Sequence, residues 1–145
     1  MNPPAPHIRV VIADDHVLVR QGIRAFLETH ADLVIVGEAE DAEGAVDLCA
    51  QHHPDVALVD LVMPGGGIEA TRNIRAVSPS TQVVLLTSFE DAQQIVAAVQ
   101  AGALSCLLKD VDADALAEAL RKAAAGEAVL HPRVAVSFVV PDRAV

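Results

Sequence analysis

Residues 55–60 read Asp-Val-Ala-Leu-Val-Asp, an apolar run that begins and ends with a carboxylate. Four other short apolar runs lie along the chain, at residues 10–13, 33–36, 83–86 and 107–108. Each run is continuous and rich in Val, Ile, Leu or Ala, which is typical of strands that are covered on both faces. The sequence therefore predicts a buried sheet of five strands.

Segments with helical periodicity separate these runs, so each predicted strand is followed by a helix. The predicted helices cover residues 17–30, 41–49, 68–77, 90–101 and 112–125. Asp41 and Asp112 are expected to cap the second and the fifth helix, and Gly102 is expected to end the fourth. The side chains expected to face the core are Leu18, Ile23, Phe26, Leu27, Ala45, Val46, Cys49, Ile95, Val96, Val99, Ala115, Leu116, Ala119, Leu120 and Ala123. Because parallel strands need long crossovers, which helices supply, the alternation predicts a doubly wound α/β fold.

The composition is that of a single acidic domain. The chain has 145 residues, of which 52% are hydrophobic, a formal net charge of −10 and a pI near 4.8. Such a negative surface repels nucleic acid and anionic lipid, and no apolar run approaches the ~20 residues that span a bilayer. The first residues lack the basic and apolar regions of a signal peptide, so we expect a cytoplasmic protein. Cys49 and Cys106 match no metal spacing and are predicted to be buried, reduced thiols rather than a disulfide.

Polar side chains stand where the predicted strands end, and ligands of open α/β sheets bind at this edge. They are Asp14 and Asp15, Asp60, Thr87 and Ser88, and Lys109. Clustered carboxylates repel one another unless a cation joins them, and Mg²⁺ prefers oxygen ligands and phosphate partners. Lys109 and Thr87 can contact phosphoryl oxygens that the metal does not reach. With a carboxylate as the nucleophile, the chemistry indicated is the formation of an acyl phosphate on aspartate.

Four stretches of the sequence together resemble one known family. Residues 11–16 read Val-Ile-Ala-Asp-Asp-His, residues 58–64 Leu-Val-Asp-Leu-Val-Met-Pro, residues 85–88 Leu-Leu-Thr-Ser, and residues 101–110 Ala-Gly-Ala-Leu-Ser-Cys-Leu-Leu-Lys-Asp. In this order they resemble the receiver domains of two-component response regulators, in particular the NarL/FixJ (LuxR-type) subfamily. The resemblance covers roughly residues 8–130 and implies a flavodoxin-like (CheY-like) sheet with the strand order 2-1-3-4-5.

The resemblance also implies roles for the acidic residues. Asp60 would accept a phosphoryl group from a phosphohistidine of a sensor histidine kinase. Asp15 would bind Mg²⁺ directly and Asp14 mostly through water, while Asp60 and the backbone carbonyl of Val62 would complete the protein ligands. Such a domain is a phosphoacceptor with at most slow autodephosphorylation, and we do not expect an enzyme.

A conformational switch is the second implication of the resemblance. Thr87 would follow the phosphoryl group inward, Lys109 would pair with Asp60 or its phosphate, and Ser88 would line the entrance and help set the rate of dephosphorylation. The surface around the fourth helix, fifth strand and fifth helix would then change. We expect the change to alter homodimer formation or contact with an output domain.

Two local features depart from the family pattern. Cys106 stands where the family usually has the Tyr or Phe that swings inward with Thr87, and Phe89 is the only aromatic residue nearby. Either a smaller but functional switch or weak coupling of phosphorylation to output would follow. The loop at residues 65–67, Gly-Gly-Gly, is one residue shorter than usual. We expect a mobile loop whose ordering around Mg²⁺ costs entropy and alters the kinetics.

The expected domain organisation is a flexible arm at residues 1–7, a receiver at 8–127 and a linker or tail at 128–145. A helix-turn-helix output domain needs ~50–60 more residues with a basic face, and DNA would be bound only through such a domain. We therefore expect a receiver without its output domain, with a natural single-domain regulator as the alternative. The apolar residues 134–140 could dock on their own domain, pair with a second copy or be disordered.

Other interpretations remain open at this point. An aspartyl phosphatase would also use an Asp at a strand end, but it commonly has a second acid two residues later, where this chain has Val62. An interaction module that has lost phosphorylation is compatible with Cys106 and the short loop, but the complete set of acidic and basic residues opposes it. A helix cap explains Asp14 alone equally well. For His16, which follows the acid pair, we expect a role in the turn.

Overall fold

The computed structural model describes residues 7–88 and 93–129, in which strands and helices alternate. The strands are β1 (Ile8–Ala13), β2 (Leu33–Ala39), β3 (Val56–Asp60), β4 (Gln82–Thr87) and β5 (Ser105–Leu108). The helices are α1 (Val17–Leu27), α2 (Ala42–His52), α3 (Gly67–Val77), α4 (Ile95–Gln100) and α5 (Ala113–Ala124). The predicted α/β architecture is confirmed.

The strands form a parallel sheet in the order β2-β1-β3-β4-β5, as the family resemblance implied. The strand order reverses beside β1, which pairs with both β2 and β3. Ala13 of β1 pairs with Val59 of β3, so Asp14 and Asp60 follow at the same edge of the sheet. This edge is the switch point at which open α/β sheets bind their ligands.

Helices cover both faces of the sheet. On one face α2, α3 and α4 pack through residues such as Ile74 and Ile95. On the other face α1 and α5 pack through residues such as Leu27 and Leu120. Every residue of β3 is buried, because its side chains point alternately into the two cores. This two-sided burial explains why the sequence of β3 is continuously apolar up to Asp60 rather than alternating.

The predicted helix ends are confirmed where local chemistry defines them. The side chain of Asp41 accepts a hydrogen bond from the backbone N–H of Gly44 at 2.7 Å, and that of Asp112 accepts one from Ala115 at 2.8 Å. These bonds satisfy backbone donors that a helix start leaves unpaired. Gly102 follows α4 with a φ of +115°, a conformation that ends a helix and favours glycine.

Several predicted boundaries differ from the structure. The first helix ends at Leu27 and not at residue 30, and the second continues past residue 49 to His52. The second strand continues to Ala39, three residues beyond its apolar run. The α-helical part of α4 begins at Ile95, and residues 90–92 of the predicted helix lie outside the described residues. Apolar runs mark the centres of elements better than their ends.

Three side chains predicted to be in the core are exposed. Leu18 is 83% exposed, because the first turn of α1 stands at the carboxyl edge, where the sheet gives it no cover. Val99 lies on the outer side of α4 and is 39% exposed. Ala115 is also exposed, and Ala117 takes the inner position on α5. Alanines on both sides of α5 left its rotation undefined in the sequence.

Within the described ranges no helix is long and apolar enough to cross a membrane. Cys49 and Cys106 are buried free thiols, as predicted, and burial raises the pKa of each to about 12. Of the expected arm, residues 1–6 lie outside the described residues, as do Phe89 and residues 130–145 of the expected tail. At the end of α5 the chain continues beside β5, where the N–H of Val129 donates to the hydroxyl of Ser105 at 2.9 Å.

Candidate functional site

The carboxyl edge of the sheet gathers the predicted acidic residues. One ligand atom from each of Asp14, Asp15, His16 and Asp60 lies within 4.8 Å of all the others. Asp14 and Asp60 are each 1% exposed, whereas Asp15 is on the open side of the group. The predicted convergence of three carboxylates is therefore confirmed.

Asp60 is a buried carboxylate with two hydrogen-bond donors. The ammonium of Lys109 donates to its Oδ2 at 2.9 Å, and the backbone N–H of Val62 donates to its Oδ1 at 3.2 Å. Burial raises the pKa of Asp60, and the nearby charge of Asp14 adds to this, while Lys109 and the Val62 N–H lower it in part. The negative charge at this position is thus only partly balanced by the protein.

Asp14 has one oxygen that the described residues leave without a partner. Its Oδ1 accepts a hydrogen bond from the backbone N–H of His16 at 2.8 Å. Its Oδ2 is buried and has no hydrogen-bond partner within the described part of the chain. A buried polar atom in this state costs free energy unless a group outside the described residues satisfies it.

His16 lies closer to the acids than the sequence analysis assumed. Its backbone has the expected role in the turn, since it caps α1 and bonds to Asp14. Its ring Nδ1, however, lies 3.1 Å from Asp14 Oδ1, 3.3 Å from Asp15 Oδ1 and 3.9 Å from Asp60 Oδ2. The ring is therefore part of the site.

Arg20 is a supporting residue that the sequence analysis missed. Its Nη1 donates to the backbone carbonyl of Asp14 at 2.6 Å, and its Nε donates to Glu38 of β2 at 3.2 Å. Arg24 pairs with the same Glu38 from the next turn of α1. The arginine thus fixes the chain at the end of β1. Its place in α1, just after the acid pair, was the signal available in the sequence.

The glycine loop after Asp60 has a steric reason for its composition. Gly65 and Gly66 have φ values of +85° and +84°, which residues with a side chain rarely adopt. A Cβ on Gly67 would lie 2.5 Å from the carbonyl oxygen of Asp60, and the Gly67 N–H donates to Leu61 O at 2.9 Å. The loop packs directly against the backbone of Asp60. Its predicted mobility stays a prediction.

The predicted switch residues line the neighbouring strand ends. Thr87 ends β4, is 1% exposed and donates its hydroxyl to the carbonyl of Ser88 at 3.1 Å. The N–H of Lys109 donates to the carbonyl of Thr87 at 2.8 Å, which couples the ends of β4 and β5. Cys106 is fully buried on β5 beside Leu85. The roles expected for Thr87, Ser88 and Cys106 stay predictions.

The donor set of this pocket fits a hard divalent cation. Three carboxylates offer oxygen ligands, of the kind that Mg²⁺ prefers in proteins. A cation would satisfy the unpartnered Oδ2 of Asp14 and offset the charge of Asp60 that Lys109 leaves unbalanced. The residues therefore suit a cation, with Asp14, Asp15 and Asp60 as its acidic ligands.

Comparison with known proteins identifies the family. The profile of the response regulator receiver domain matches residues 10–121. The chain belongs to the response regulator receiver domain family. This receiver domain is 45% identical over 129 residues to the transcriptional regulatory protein LiaR of Bacillus subtilis (strain 168), covering 88% of this chain and 61% of LiaR. It is 38% identical over 132 residues to the response regulator protein VraR of Staphylococcus aureus, covering 90% of this chain and 63% of VraR.

Solved structures agree with this assignment. The receiver resembles the signal receiver domain of the putative response regulator NarL from Mycobacterium tuberculosis, with a TM-score of 0.80 and 35% identity over 84% of this chain and 99% of that one. A LuxR-family response regulator from Aurantimonas matches with a TM-score of 0.84 and 33% identity, over 96% and 99% of the two chains. The expected NarL/LuxR-type receiver is confirmed. The chain spans about three fifths of the length of LiaR and VraR.

Proposed function

We propose that Asp60 accepts a phosphoryl group from the phosphohistidine of a sensor histidine kinase and that this modification controls the receiver. The observation that carries the proposal is a carboxylate that is 1% exposed, bonded to Lys109 and close to Asp14, one oxygen of which has no partner among the described residues. A buried acid in this state lowers the stability of the folded protein. Such unfavourable groups are typical of functional sites. The proposal makes the receiver a phosphoacceptor rather than a turnover enzyme.

The transfer step assigns one task to each residue. A carboxylate oxygen of Asp60 attacks phosphorus, and the phosphorus–nitrogen bond of the donor histidine breaks, leaving the electron pair on the imidazole, which takes up a proton. The ammonium of Lys109, now at 2.9 Å from Asp60 Oδ2, follows the transferred oxygens. The hydroxyl of Thr87 turns from the carbonyl of Ser88 to the phosphoryl group. Mg²⁺, held by Asp14, Asp15, Asp60 and the Val62 carbonyl, would offset the negative charge that accumulates.

The consequence of phosphorylation follows from the position of Thr87 and Lys109. Because the Lys109 N–H bonds to the Thr87 carbonyl, movement of Thr87 toward the phosphoryl group displaces the ends of β4 and β5 together. Cys106, with its small side chain on β5, leaves this displacement smaller than an aromatic residue would. Ser88 at the entrance then affects how fast water removes the phosphoryl group.

The proposed output is a change of self-association that controls transcription through a further domain. The relative LiaR is named a transcriptional regulatory protein, and a solved structure of RcsB, 28% identical with a TM-score of 0.80, contains dimers bound to DNA. The net charge of −10 makes the receiver itself unsuited to DNA. In this proposal residues 8–127 are the receiver, and residues 128–145 lead toward the output domain of a cytoplasmic regulator.

The proposal is tested by phosphorylation with acetyl phosphate and Mg²⁺, followed by intact-mass spectrometry. The wild type is expected to gain one phosphoryl group, and Asp60→Asn none. Asp55→Asn is the matched control, because Asp55 stands at the other end of the same strand, where it accepts a bond from the N–H of Arg9 at 2.8 Å. Asp55→Asn should be labelled like the wild type.

Three results would contradict the proposal. Labelling of Asp60→Asn at the wild-type level would remove Asp60 from its role. A wild type that takes up no phosphoryl group, although magnesium binds, would instead indicate an interaction module that works without phosphorylation. Steady release of phosphate from a simple phosphomonoester would point to a phosphatase, for which Val62 occupies the place of the usual second acid.

A further inference from the structure

The outer side of β5 has backbone groups that β4 does not use. Within the described residues β5 is an edge strand. The N–H of Lys109 donates inward, to Thr87 of β4 at 2.8 Å, whereas the N–H of Cys106 donates outward, to the carbonyl of Val129 at 3.3 Å. Because the backbone groups of successive residues in a strand point to opposite sides, the Cys106 carbonyl and the Leu108 N–H also face outward. Leu108 is 2% exposed, and a buried N–H needs an acceptor.

The chain that follows α5 already lies beside this edge. The N–H of Val129 donates to the hydroxyl of Ser105 at 2.9 Å, and its carbonyl accepts from Cys106. The amino side of Val129 is therefore next to the first residue of β5 and its carbonyl side next to the second, so the chain runs parallel to β5 here. Residues 130–145 follow directly and are the nearest segment that can continue the pairing.

The register of this pairing assigns a side to each of the next residues. In a parallel pair that begins with Val129 and Cys106, residue 131 is the next one whose backbone faces β5, and residues 130 and 132 face away. Residue 132 is a proline. A proline has no N–H and is tolerated in an edge strand where that position faces away from the partner strand. The residue before a proline also favours an extended backbone, which suits His131.

The same register sets Leu130 opposite Cys106. Val129 packs against the cluster under α1 and α5, so the next side chain falls on the other face of the sheet. Cys106 belongs to the cluster on that face, under α4. Leucine at this place supplies apolar volume beside the small thiol.

We propose that residues 130–133 add to the edge of β5 as a sixth parallel strand, in which Leu130 packs beside Cys106. The pairing itself does not depend on phosphorylation. Its consequence rests on the proposed function: when Thr87 and Lys109 displace the end of β5, the added strand moves with it. The change is thereby carried along the chain toward residues 134–145.

The pairing is tested by nuclear magnetic resonance of the whole chain labelled with nitrogen and carbon isotopes. Scalar couplings across hydrogen bonds connect a donor nitrogen with the carbonyl carbon of its acceptor. We expect couplings from the nitrogen of Leu108 to the carbonyl of His131 and from the nitrogen of His131 to the carbonyl of Cys106. The coupling from Lys109 to Thr87 is the internal control, because this bond is 2.8 Å long. Absence of both expected couplings beside an intact control would overturn the inference.

Two variants test the register. His131→Pro removes an N–H that faces β5, so the exchange of the Leu108 amide with solvent should become roughly five- to tenfold faster, the scale of one lost hydrogen bond. Pro132→Ala is the matched control, because it adds an N–H that faces away. The new N–H should exchange rapidly, and the couplings should persist. Unchanged Leu108 exchange in His131→Pro, or a protected new N–H in Pro132→Ala, would contradict the register.

A second copy of the chain could occupy the same edge, and mixed labelling distinguishes it. In a mixture in which each chain carries only one isotope, couplings within one chain disappear. Couplings that persist there would assign the edge to a second copy and overturn the inference.

The consequence for signalling is tested with acetyl phosphate and Mg²⁺. The amide resonances of residues 130, 131 and 133 should shift in the wild type and not in Asp60→Asn. Phosphorylation without these shifts would overturn the link from β5 to the added strand and leave the proposed function intact. A chain that shows the couplings but is not phosphorylated would contradict the proposed function and leave the pairing intact.

Discussion

The two ends of the sheet differ in how completely their acidic residues are paired with hydrogen-bond donors. At the amino end, Asp32 bonds to Arg121 at 2.8 and 3.2 Å, and Asp55 accepts the N–H of Arg9 at 2.8 Å. At the carboxyl end, Asp60 pairs with Lys109 at 2.9 Å and lies beside Asp14 and Asp15, and one oxygen of Asp14 has no partner within the described residues. The paired acids at the amino end stabilise the fold. The clustered acids at the carboxyl end cost free energy of folding.

The pKa shifts at the two ends have opposite directions, and each has its own physical cause. The hydrogen bond from Arg121 lowers the pKa of Asp32. Burial raises the pKa of Asp60, although Lys109 opposes the shift. Perturbed groups of the second kind cluster at functional sites, where a ligand completes what the protein leaves unbalanced. The difference between the ends therefore distinguishes acids whose pairing stabilises the fold from acids whose charge the protein leaves partly unbalanced.

The largest effect at the carboxyl end is expected from Gly67→Ala. The new Cβ would lie 2.5 Å from the carbonyl oxygen of Asp60 and 2.6 Å from the Cα of Leu61, so the backbone at Asp60 has to move. We expect a loss of ~2–3 kcal/mol in the free energy of unfolding and loss of labelling by acetyl phosphate. The measurements are urea unfolding and intact mass.

Gly22→Ala is the matched control for Gly67→Ala. A Cβ at Gly22, on α1, meets nothing within 4 Å, so alanine there should leave stability unchanged or raise it by roughly 0.5–1 kcal/mol. Unchanged stability and labelling in Gly67→Ala would show that the loop does not support Asp60 as the distances indicate.

At the amino end, Thr81→Val is expected to cost stability without affecting the chemistry. The buried hydroxyl of Thr81 donates to Pro54 O at 2.7 Å and is bonded to the Ser78 hydroxyl at 2.6 Å. Valine leaves the Pro54 carbonyl without its donor, which we expect to lower the free energy of unfolding by ~2 kcal/mol. Urea unfolding checks the loss, and labelling by acetyl phosphate should be as in the wild type. Impaired labelling in a folded variant would break the separation of the two ends.

Asp60→Asn and Asp32→Asn are expected to change stability in opposite directions without metal. At neutral pH, with a chelator present, Asp60→Asn should raise the free energy of unfolding by ~1 kcal/mol, because it removes an unbalanced buried charge. Asp32→Asn should lower it slightly, since the bond to Arg121 is partly exposed to water. Chemical unfolding across pH 3–8 measures both differences.

Both differences should disappear in acid, and their signs follow from the pKa directions. The folded pKa of Asp60 is raised, so folding binds a proton above the unfolded value of ~3.9 and the penalty grows as the pH rises through the folded pKa. The folded pKa of Asp32 is lowered, so its contribution is present above ~3.9 and is lost as the pH falls through the folded pKa. A stabilising effect of Asp60→Asn that persists unchanged at acid pH would contradict the assignment of the penalty to its charge.

Much of the fold could be predicted from the sequence, because it depends on local patterns. The apolar runs located every strand of the described residues, and Asp41 and Asp112 marked helix starts through their capping bonds. The side of each helix that faces the sheet was harder to predict. Leu18 lies where the sheet ends, and α5 has alanines on both sides, so periodicity alone could not show which side would be covered.

The part of the site that lies at the strand ends could be predicted from the sequence. Parallel pairing brings Asp14 and Asp60 to one edge, and this follows from the order of the elements. The places of His16 and Arg20 depend on how α1 leaves the sheet, since the cap geometry sets the ring against the acids and the arginine against the Asp14 carbonyl. The steric role of Gly67 depends on a backbone contact that has no sequence signature.

The most direct test of the account is a titration of the chain with Mg²⁺ followed by backbone amide resonances. The account predicts saturable shifts that are concentrated at residues 13–16 and 60–63, with Asp32, Asp55 and Thr81 at the other end of the sheet unchanged. Asp15→Asn should weaken the saturation without moving the site. Shifts spread evenly over the acidic surface, or no saturable shift at the carboxyl end, would contradict the claim that this edge of the sheet is a cation site.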